Sequence, residues 1–459
     1  MKRSFKQLFV GLLVLTLMVS IFPGKSAQAE ENDFLNINAK AAILIEFSTG
    51  KIIYQKNVDE ALPVASMTKM MTEYLLLEAI EEGKLDWSKE VILSDYAQAV
   101  SQKYPELSNV PMRKQEPYTI KELYEAMAIY SANGATIALA EAIAGSETKF
   151  VEMMNAKAEE IGLENYNFVN STGLNNEDLA VGGVPMHPEG TDANEETTLS
   201  AKDTARLAHR LLTDYPEILD TASIPFKVFR EGTPDAIDMP NWNKMLFTEE
   251  LKVQFEGIDG LKTGSTDAAG FNFTGTAERD GMRVISVVMN TTNDDGVSTE
   301  ISRFIETKKL MTHAFGSYSV EELFPGEYQM EGESILPVTK GKEDKVEIQT
   351  KEPFKTLVKD GNKDNFKPQF EINEKLLNEE GELTAPVKEG DSVGVMKVTQ
   401  EGGQDYGYLF GNDQEGATVE LVTKEGVEKA NWFVLSMRAV GGFFSDLWST
   451  IAGAVKGLF

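Results

Sequence analysis

The sequence predicts an α+β chain, and three observations carry that reading. Strand-type patterns occur near both ends of the first 320 residues, a helical block lies between them, and a turn-rich, strand-rich region follows from about residue 325. A sheet drawn from distant segments with helices inserted between them accounts for the first two; a small all-β region accounts for the third.

Residues 41–47 form an apolar run that reads as a strand, Ser48-Thr49-Gly50-Lys51 as a turn, and 52–55 as the returning strand. Pro63 then precedes a helix expected from Ser66, with Met67, Met70, Met71, Tyr74, Leu75 and Leu77 at helical spacing. Helical signals dominate to about residue 215, notably over 120–130, 135–144, 149–161 and 200–212. Strands return at 260–266, 271–278 and 282–289, the last two joined by Arg279-Asp280-Gly281, and a helix closes the block at about 298–314. Composition shifts at Pro325-Gly326, after which short strands such as 392–397 and 417–422 alternate with Gly, Asp and Asn turns.

The two ends read differently. Lys2, Arg3 and Lys6, an apolar run from Leu8 to Phe22 and Ala27-Gln28-Ala29 make residues 1–29 a signal peptide, the alternative being an uncleaved membrane anchor. At the other end, Phe443, Phe444, Leu447, Trp448, Ile451, Val455 and Leu458 share one side of a helix, opposite Arg438, Ser445, Ser449 and Lys456. Such a helix suits a membrane interface; the alternative is a terminal helix packed on its own domain. The expected organisation is a signal peptide (1–29), an α+β domain (30–322), a β domain (323–428) and an amphipathic anchor (429–459) on an exported protein held at the outer face of the membrane.

Composition narrows the chemistry. The chain has 459 residues, no cysteine and three histidines, His187, His209 and His313, at no metal-binding spacing. Thiol chemistry is therefore excluded, and neither a metal nor a cofactor is expected. With 44 basic against 73 acidic residues, net −29, nucleic-acid binding is not expected either. Serine remains as a nucleophile and lysine as its base.

Three motifs supply them. Ser66-Met67-Thr68-Lys69 places a hydroxyl at a helix start and a lysine three residues on, on the same face. Serine needs a base to be nucleophilic, and lysine can act as one only if its pKa is lowered from about 10.4. Ser131-Ala132-Asn133, between two helical segments, could aim a hydroxyl and an amide into a cleft. Lys262-Thr263-Gly264 puts a cation and a hydroxyl on a strand, with glycine expected to admit a substrate backbone to the strand edge. Each motif alone reads as a helix cap or strand end; the three together, in this order, are specific.

With S-x-x-K, S-x-N and K-T-G in sequence, the chain resembles the low-molecular-mass penicillin-binding proteins, namely D-alanyl-D-alanine carboxypeptidases of the penicillin-binding protein 5 type. The run Gly-Leu-Lys-Thr-Gly-Ser-Thr-Asp around Lys262 looks like that family too. The resemblance implies the penicillin-binding/β-lactamase-like transpeptidase fold, stem peptides ending in D-Ala-D-Ala as substrate, and β-lactams as covalent inhibitors. It implies Ser66 as nucleophile, Lys69 as general base and Ser131 as proton relay. Asn133 would orient the peptide amide, Lys262 would support the electrostatics and Thr263 would contact the terminal carboxylate. Backbone N–H groups of Ser66 and Ser265 would form the oxyanion hole, and Arg303 would bind the carboxylate. Two departures stand out: Ala132 replaces the aspartate usual in β-lactamases, and Ser265 replaces a histidine of some carboxypeptidases. The alternatives are a β-lactamase, for which Glu164 is the candidate deacylating residue, a transpeptidase or endopeptidase, and a non-enzymatic wall-binding protein.

Overall fold

The computed structural model describes residues 33–246, 253–359, 361–402, 405–411, 418–433 and 435–437. The expected signal peptide lies outside them, as does most of the expected anchor, of which residues 429–433 and 435–437 are described. There Trp432, Phe433 and Met437 are exposed. Residues 33–36 form a turn closed by the Asn36 N–H on the Asp33 carbonyl.

From Ile37 onward, strands β1 (Ala39–Glu46) and β2 (Ile52–Lys56) form the first hairpin. The helical block follows with α1 (Lys69–Glu81), α2 (Asp95–Ser101), α3 (Ile120–Tyr130), α4 (Asn133–Ala144), α5 (Glu147–Glu160) and α6 (Ala201–Asp214). Then come β3 (Ile258–Thr266), β4 (Gly270–Arg279), β5 (Met282–Thr291) and α7 (Ser302–Ser317). The five strands make one antiparallel sheet in the order β3-β4-β5-β1-β2, so the two ends of this region do meet in the middle of the sheet.

Strand β1 is an almost unbroken apolar run because both faces of the sheet are covered. Ile43 and Ile45, paired with Val287 and Ile285, face a core shared with Met70 and Met71 of α1 and Leu207 and Leu211 of α6. The opposite face takes α7, whose Phe304 ring meets Phe273 edge-on at 5.2 Å. Helices α2, α3 and α4 build a second core around Leu123, Met127 and Ile137. Helix α3 starts as the sequence predicts because Thr119 and Glu122 form a reciprocal capping box.

Two expectations need correction. The helix expected from Ser66 begins at Lys69; Ser66 sits in a 3₁₀ turn, Ala65–Thr68, that precedes it. The helical block is also interrupted: between α5 and α6 the chain runs mainly through turns, in a stretch containing Gly173, Gly182, Gly183 and Gly190 at positive φ.

From Tyr318 onward the chain is largely β: β6 (Tyr318–Phe324), β7 (Ile335–Thr339), β8 (Lys345–Thr350), β9 (Phe354–Lys359), β10 (Phe366–Ile372), β11 (Leu383–Thr384), β12 (Ser392–Gln400) and β13 (Thr418–Thr423). Six strands pair in the order β10-β12-β13-β8-β7-β11, and β6 pairs with β9, around Val346, Ile348, Phe354, Met396 and Leu421. The β12–β13 connection reaches back to the first hairpin. The Leu409 N–H donates to the Gly50 carbonyl at 2.8 Å, Lys51 pairs with Asp405 at 2.6 Å, and Leu409 is fully buried in the core against α1 and α6.

Candidate active site

The three motifs converge where the sheet edge, the Ser66 turn and the helical core meet. A cleft of about 330 Å³ is lined by Ser66, Ser131, Asn133, Thr263, Gly264, Ser265 and Arg303, together with Trp242, Phe271 and Ser108. All of the expected site residues except the lysines line it, and Lys69 and Lys262 lie buried just beneath.

Ser66 is held by a tight turn. Ala65 before it has φ 49°, a strained value for a residue with a Cβ, and the Met67 N–H closes the turn on the Val64 carbonyl. Three residues on, Lys69 Nζ lies 3.0 Å from Ser66 Oγ and donates to Asn133 Oδ1 at 2.8 Å and to the Thr172 carbonyl at 2.6 Å. Burial pushes the Lys69 pKa well below its ordinary value, and the positive charge of Lys262 pushes it the same way.

Ser131 ends α3 in the left-handed conformation, φ 61°, which breaks the helix and turns its hydroxyl toward Lys262, whose Nζ donates to it at 3.0 Å. Asn133 begins α4; its Oδ1 accepts from Lys69, and its Nδ2 donates to the Ser108 carbonyl at 3.0 Å. Each of its two polar groups keeps one further hydrogen-bonding position for a ligand. Lys262 is lowered to about 7 by burial and by Arg303.

Gly264 also meets a packing constraint on its inner side. A Cβ there would stand 2.4 Å from the Val64 carbonyl oxygen and 3.2 Å from the Ser66 nitrogen. Glycine is required because β3 packs directly on the nucleophile turn. Thr263 is buried beside it and Ser265 is exposed at the cleft. Arg303, from the start of α7, donates to the Gly264 carbonyl at 3.4 Å and pairs with Glu300 at 3.2 Å. Its Nε is buried with no hydrogen-bond partner in the described residues, and burial lowers its pKa to about 10.

Motif reasoning missed several contributors. Thr172 offers only a backbone carbonyl, which leaves no side-chain signature. Glu73, raised to about 7 by burial, and Glu147, also raised by burial, stand behind the lysines. Both follow helical patterns that read as ordinary core or cap positions. Trp242 stacks on Tyr130 at 5.7 Å and donates its indole N–H to the Tyr130 carbonyl. Glu164, by contrast, is absent from the cleft lining: its carboxylate lies 3.4 Å from Arg206 and is largely exposed.

Known proteins match this arrangement. Residues 25–293 match the D-alanyl-D-alanine carboxypeptidase family, and residues 327–429 match the penicillin-binding protein 5 C-terminal domain. The chain is 31% identical to D-alanyl-D-alanine carboxypeptidase DacF of Bacillus subtilis, over 96% of this chain and 98% of that one. It is 28% identical to DacC of Escherichia coli, over 98% and 96%. Among solved structures, a peptidoglycan synthesis regulatory factor (PBP3) from Streptococcus pneumoniae matches with TM-score 0.67 at 35% identity, covering 85% of this chain and all of that one. Penicillin binding protein 5 from Haemophilus influenzae gives TM-score 0.66 at 27% identity, covering 86% and 98%. With motifs, fold and both matched regions in agreement, the chain belongs to the D-alanyl-D-alanine carboxypeptidases, serine hydrolases built on the penicillin-binding protein fold.

Proposed function

We propose that Ser66 removes the terminal D-alanine from peptidoglycan stem peptides through an acyl-enzyme. The contact that carries this reading is Lys69 Nζ on Ser66 Oγ at 3.0 Å, below a cleft whose wall is the Thr263–Ser265 strand edge. Lys69, whose pKa is held well below the usual value by burial and by Lys262, takes the Ser66 proton in its neutral form as Oγ bonds to the carbonyl carbon of the penultimate D-alanine. The carbonyl oxygen becomes an oxyanion facing the backbone N–H groups of Ser66 and Ser265, each worth ~3 kcal/mol in such sites.

Collapse breaks the C–N bond, and the proton that Lys69 took from Ser66 passes through Ser131 to the departing D-alanine amine, which leaves Lys69 neutral again; Lys262 contacts Ser131 at 3.0 Å. A water then attacks the ester, giving its proton back through Lys69 and releasing the shortened peptide and free Ser66. Thr263 and Arg303 offer a hydroxyl and a cation to the terminal carboxylate, and Asn133 its free amide positions to the peptide. A penicillin would acylate the same serine, its opened ring remaining on the enzyme. No metal or cofactor enters these steps.

In this reading residues 30–322 carry the chemistry, 323–428 form the C-terminal β domain, and 431–459 hold the exported protein flat on the outer membrane face. Arg438 and Lys456 on the polar side, and the exposed Trp432 and Phe433 at its described start, support that role.

The test is release of free D-alanine from a peptide ending in D-Ala-D-Ala. Ser66→Ala is expected to abolish it, and turnover by that variant at the wild-type rate overturns the assignment. Deleting residues 431–459 should move the protein from the membrane to the soluble fraction, and unchanged sedimentation overturns the anchor.

A further inference from the structure

Glu147 opens α5 behind the site and is almost fully buried, yet no cation among the described residues is hydrogen-bonded to it. Instead three donors converge on it. The Ser171 N–H reaches Oε1 at 2.9 Å, the Ser171 hydroxyl reaches Oε1 at 2.5 Å, and the Tyr96 hydroxyl reaches Oε2 at 2.8 Å. Burial raises the Glu147 pKa, and these three hydrogen bonds work against burial by favouring the anion.

The next residue, Thr172, supplies the carbonyl that accepts from Lys69. Its direction is fixed from three sides. Glu147 holds Ser171, the Thr72 hydroxyl donates to the Ser171 carbonyl at 2.8 Å, and Asn170 Oδ1 accepts from the Thr172 and Gly173 N–H groups at 3.0 and 2.7 Å. Gly173 lets this loop close on the nucleophile turn, since a Cβ there would lie 1.9 Å from the Ala65 carbonyl oxygen.

The geometry matters because a neutral lysine amine has two N–H bonds and one lone pair. Asn133 Oδ1 and the Thr172 carbonyl can only accept, so they take the two N–H bonds and the lone pair is left on Ser66 Oγ. After proton transfer the same three contacts satisfy all three N–H bonds of the ammonium.

We propose that Glu147 is a positioning residue for acylation: by holding the Ser171 N–H and hydroxyl it anchors the loop that presents the Thr172 carbonyl to Lys69, so turning the amine lone pair onto Ser66, while its charge faces that amine. This rests on the reading of Lys69 as general base. The buried anion also opposes the two influences that make Lys69 less basic, burial and Lys262 on β3. The titratable groups that face Glu147 are Tyr96 on α2, Glu141 on α4 and Lys69 on α1. Of these only Lys69 is a basic group.

The experiment measures the rate of acylation by a fluorescent penicillin against pH, with the full chain. Glu147→Gln keeps the acceptor for Ser171 and removes the charge, so Lys69 should lose its proton more easily and the acid limb should move to lower pH by about one unit. Glu147→Asp keeps the charge but withdraws from Ser171, so its acid limb should stay in place while the plateau rate falls about tenfold or more. An unmoved limb in Glu147→Gln, or wild-type acylation by Glu147→Asp, overturns the proposal; if the glutamine variant does not fold, the aspartate variant decides alone. Lys69→Ala separates the two levels. Wild-type acylation by that variant overturns the general-base reading itself, whereas its loss beside an unmoved Glu147→Gln profile overturns only the role of Glu147.

Discussion

Lys69 Nζ stands 3.0 Å from Ser66 Oγ, and its two other partners, Asn133 Oδ1 and the Thr172 carbonyl, can only accept. The amine is therefore oriented before substrate arrives, which removes part of the cost of aligning base and nucleophile.

The first prediction is a pH profile. Only neutral Lys69 can accept the Ser66 proton, and burial, then Lys262, hold its pKa well below the usual value. Acylation should rise with pH to a plateau already reached well below about 10.4. Asn133→Asp would place an anion where Oδ1 now lies 2.8 Å from the amine, and should move the rise to higher pH. Stopped-flow acylation between pH 5 and 10 checks both; a wild-type rise near pH 10 contradicts them.

Gly264→Ala should damage the site from a position with no chemistry. Its Cβ would collide with the Val64 carbonyl oxygen, and backbone there cannot rotate aside. Overpacking of this kind costs about 1–3 kcal/mol, and the displaced Ser66 turn should lower acylation about a hundredfold. Thermal unfolding and acylation rates read the two effects separately. Near-wild-type values for both contradict the close approach.

Lys262 should trade stability for function in a pH-dependent way. Its folded pKa is about 7 against an ordinary 10.5, so between those values the unfolded chain binds a proton that the folded one does not. Stability from this group therefore rises with pH across that window, and its burial is most costly below about pH 7. Glu73, raised to about 7, acts lower: its contribution falls as pH rises from about 4.5 to 7. Lys262→Met should lose activity yet gain stability over wild type at pH 7, with the gain shrinking toward pH 10. Melting temperatures of both proteins across that range test it, and a gap that widens with pH contradicts it.

Leu409→Ala addresses the contact between the β region and the first hairpin. The side chain is fully buried, and such truncations cost about 2–5 kcal/mol. Arg206 also donates to the Leu409 carbonyl at 3.2 Å, so loosening this segment should lower the melting temperature of the region that carries Ser66. Calorimetry that finds that transition unchanged contradicts the coupling.

The helix 120–130 was legible to the residue because its capping box and apolar spacing agree, and the strands 41–47 and 282–289 because buried central strands are continuous apolar runs. The serines, lysines and asparagine of the site were legible because side-chain chemistry at fixed spacing survives in sequence. What was not legible depends on backbone or on long-range packing. The Thr172 carbonyl has no residue preference, and the start of the helix at Lys69 rather than Ser66 follows from β3 pressing on the turn. The contact of Gly264 with Val64 was not legible because the two lie 200 residues apart in sequence. The β12–β13 connection gave no signal, since Leu409 in a turn-rich stretch looks like any loop leucine until the hairpin it covers is in view.

The central claim is that Ser66 carries the acyl group, and intact mass followed by peptide mapping tests it most directly. After brief exposure to penicillin the wild-type chain should gain the mass of one opened β-lactam, located on the peptide containing Ser66, and Ser66→Ala should gain none. A single adduct on any other residue, or an undiminished adduct in Ser66→Ala, would contradict the account.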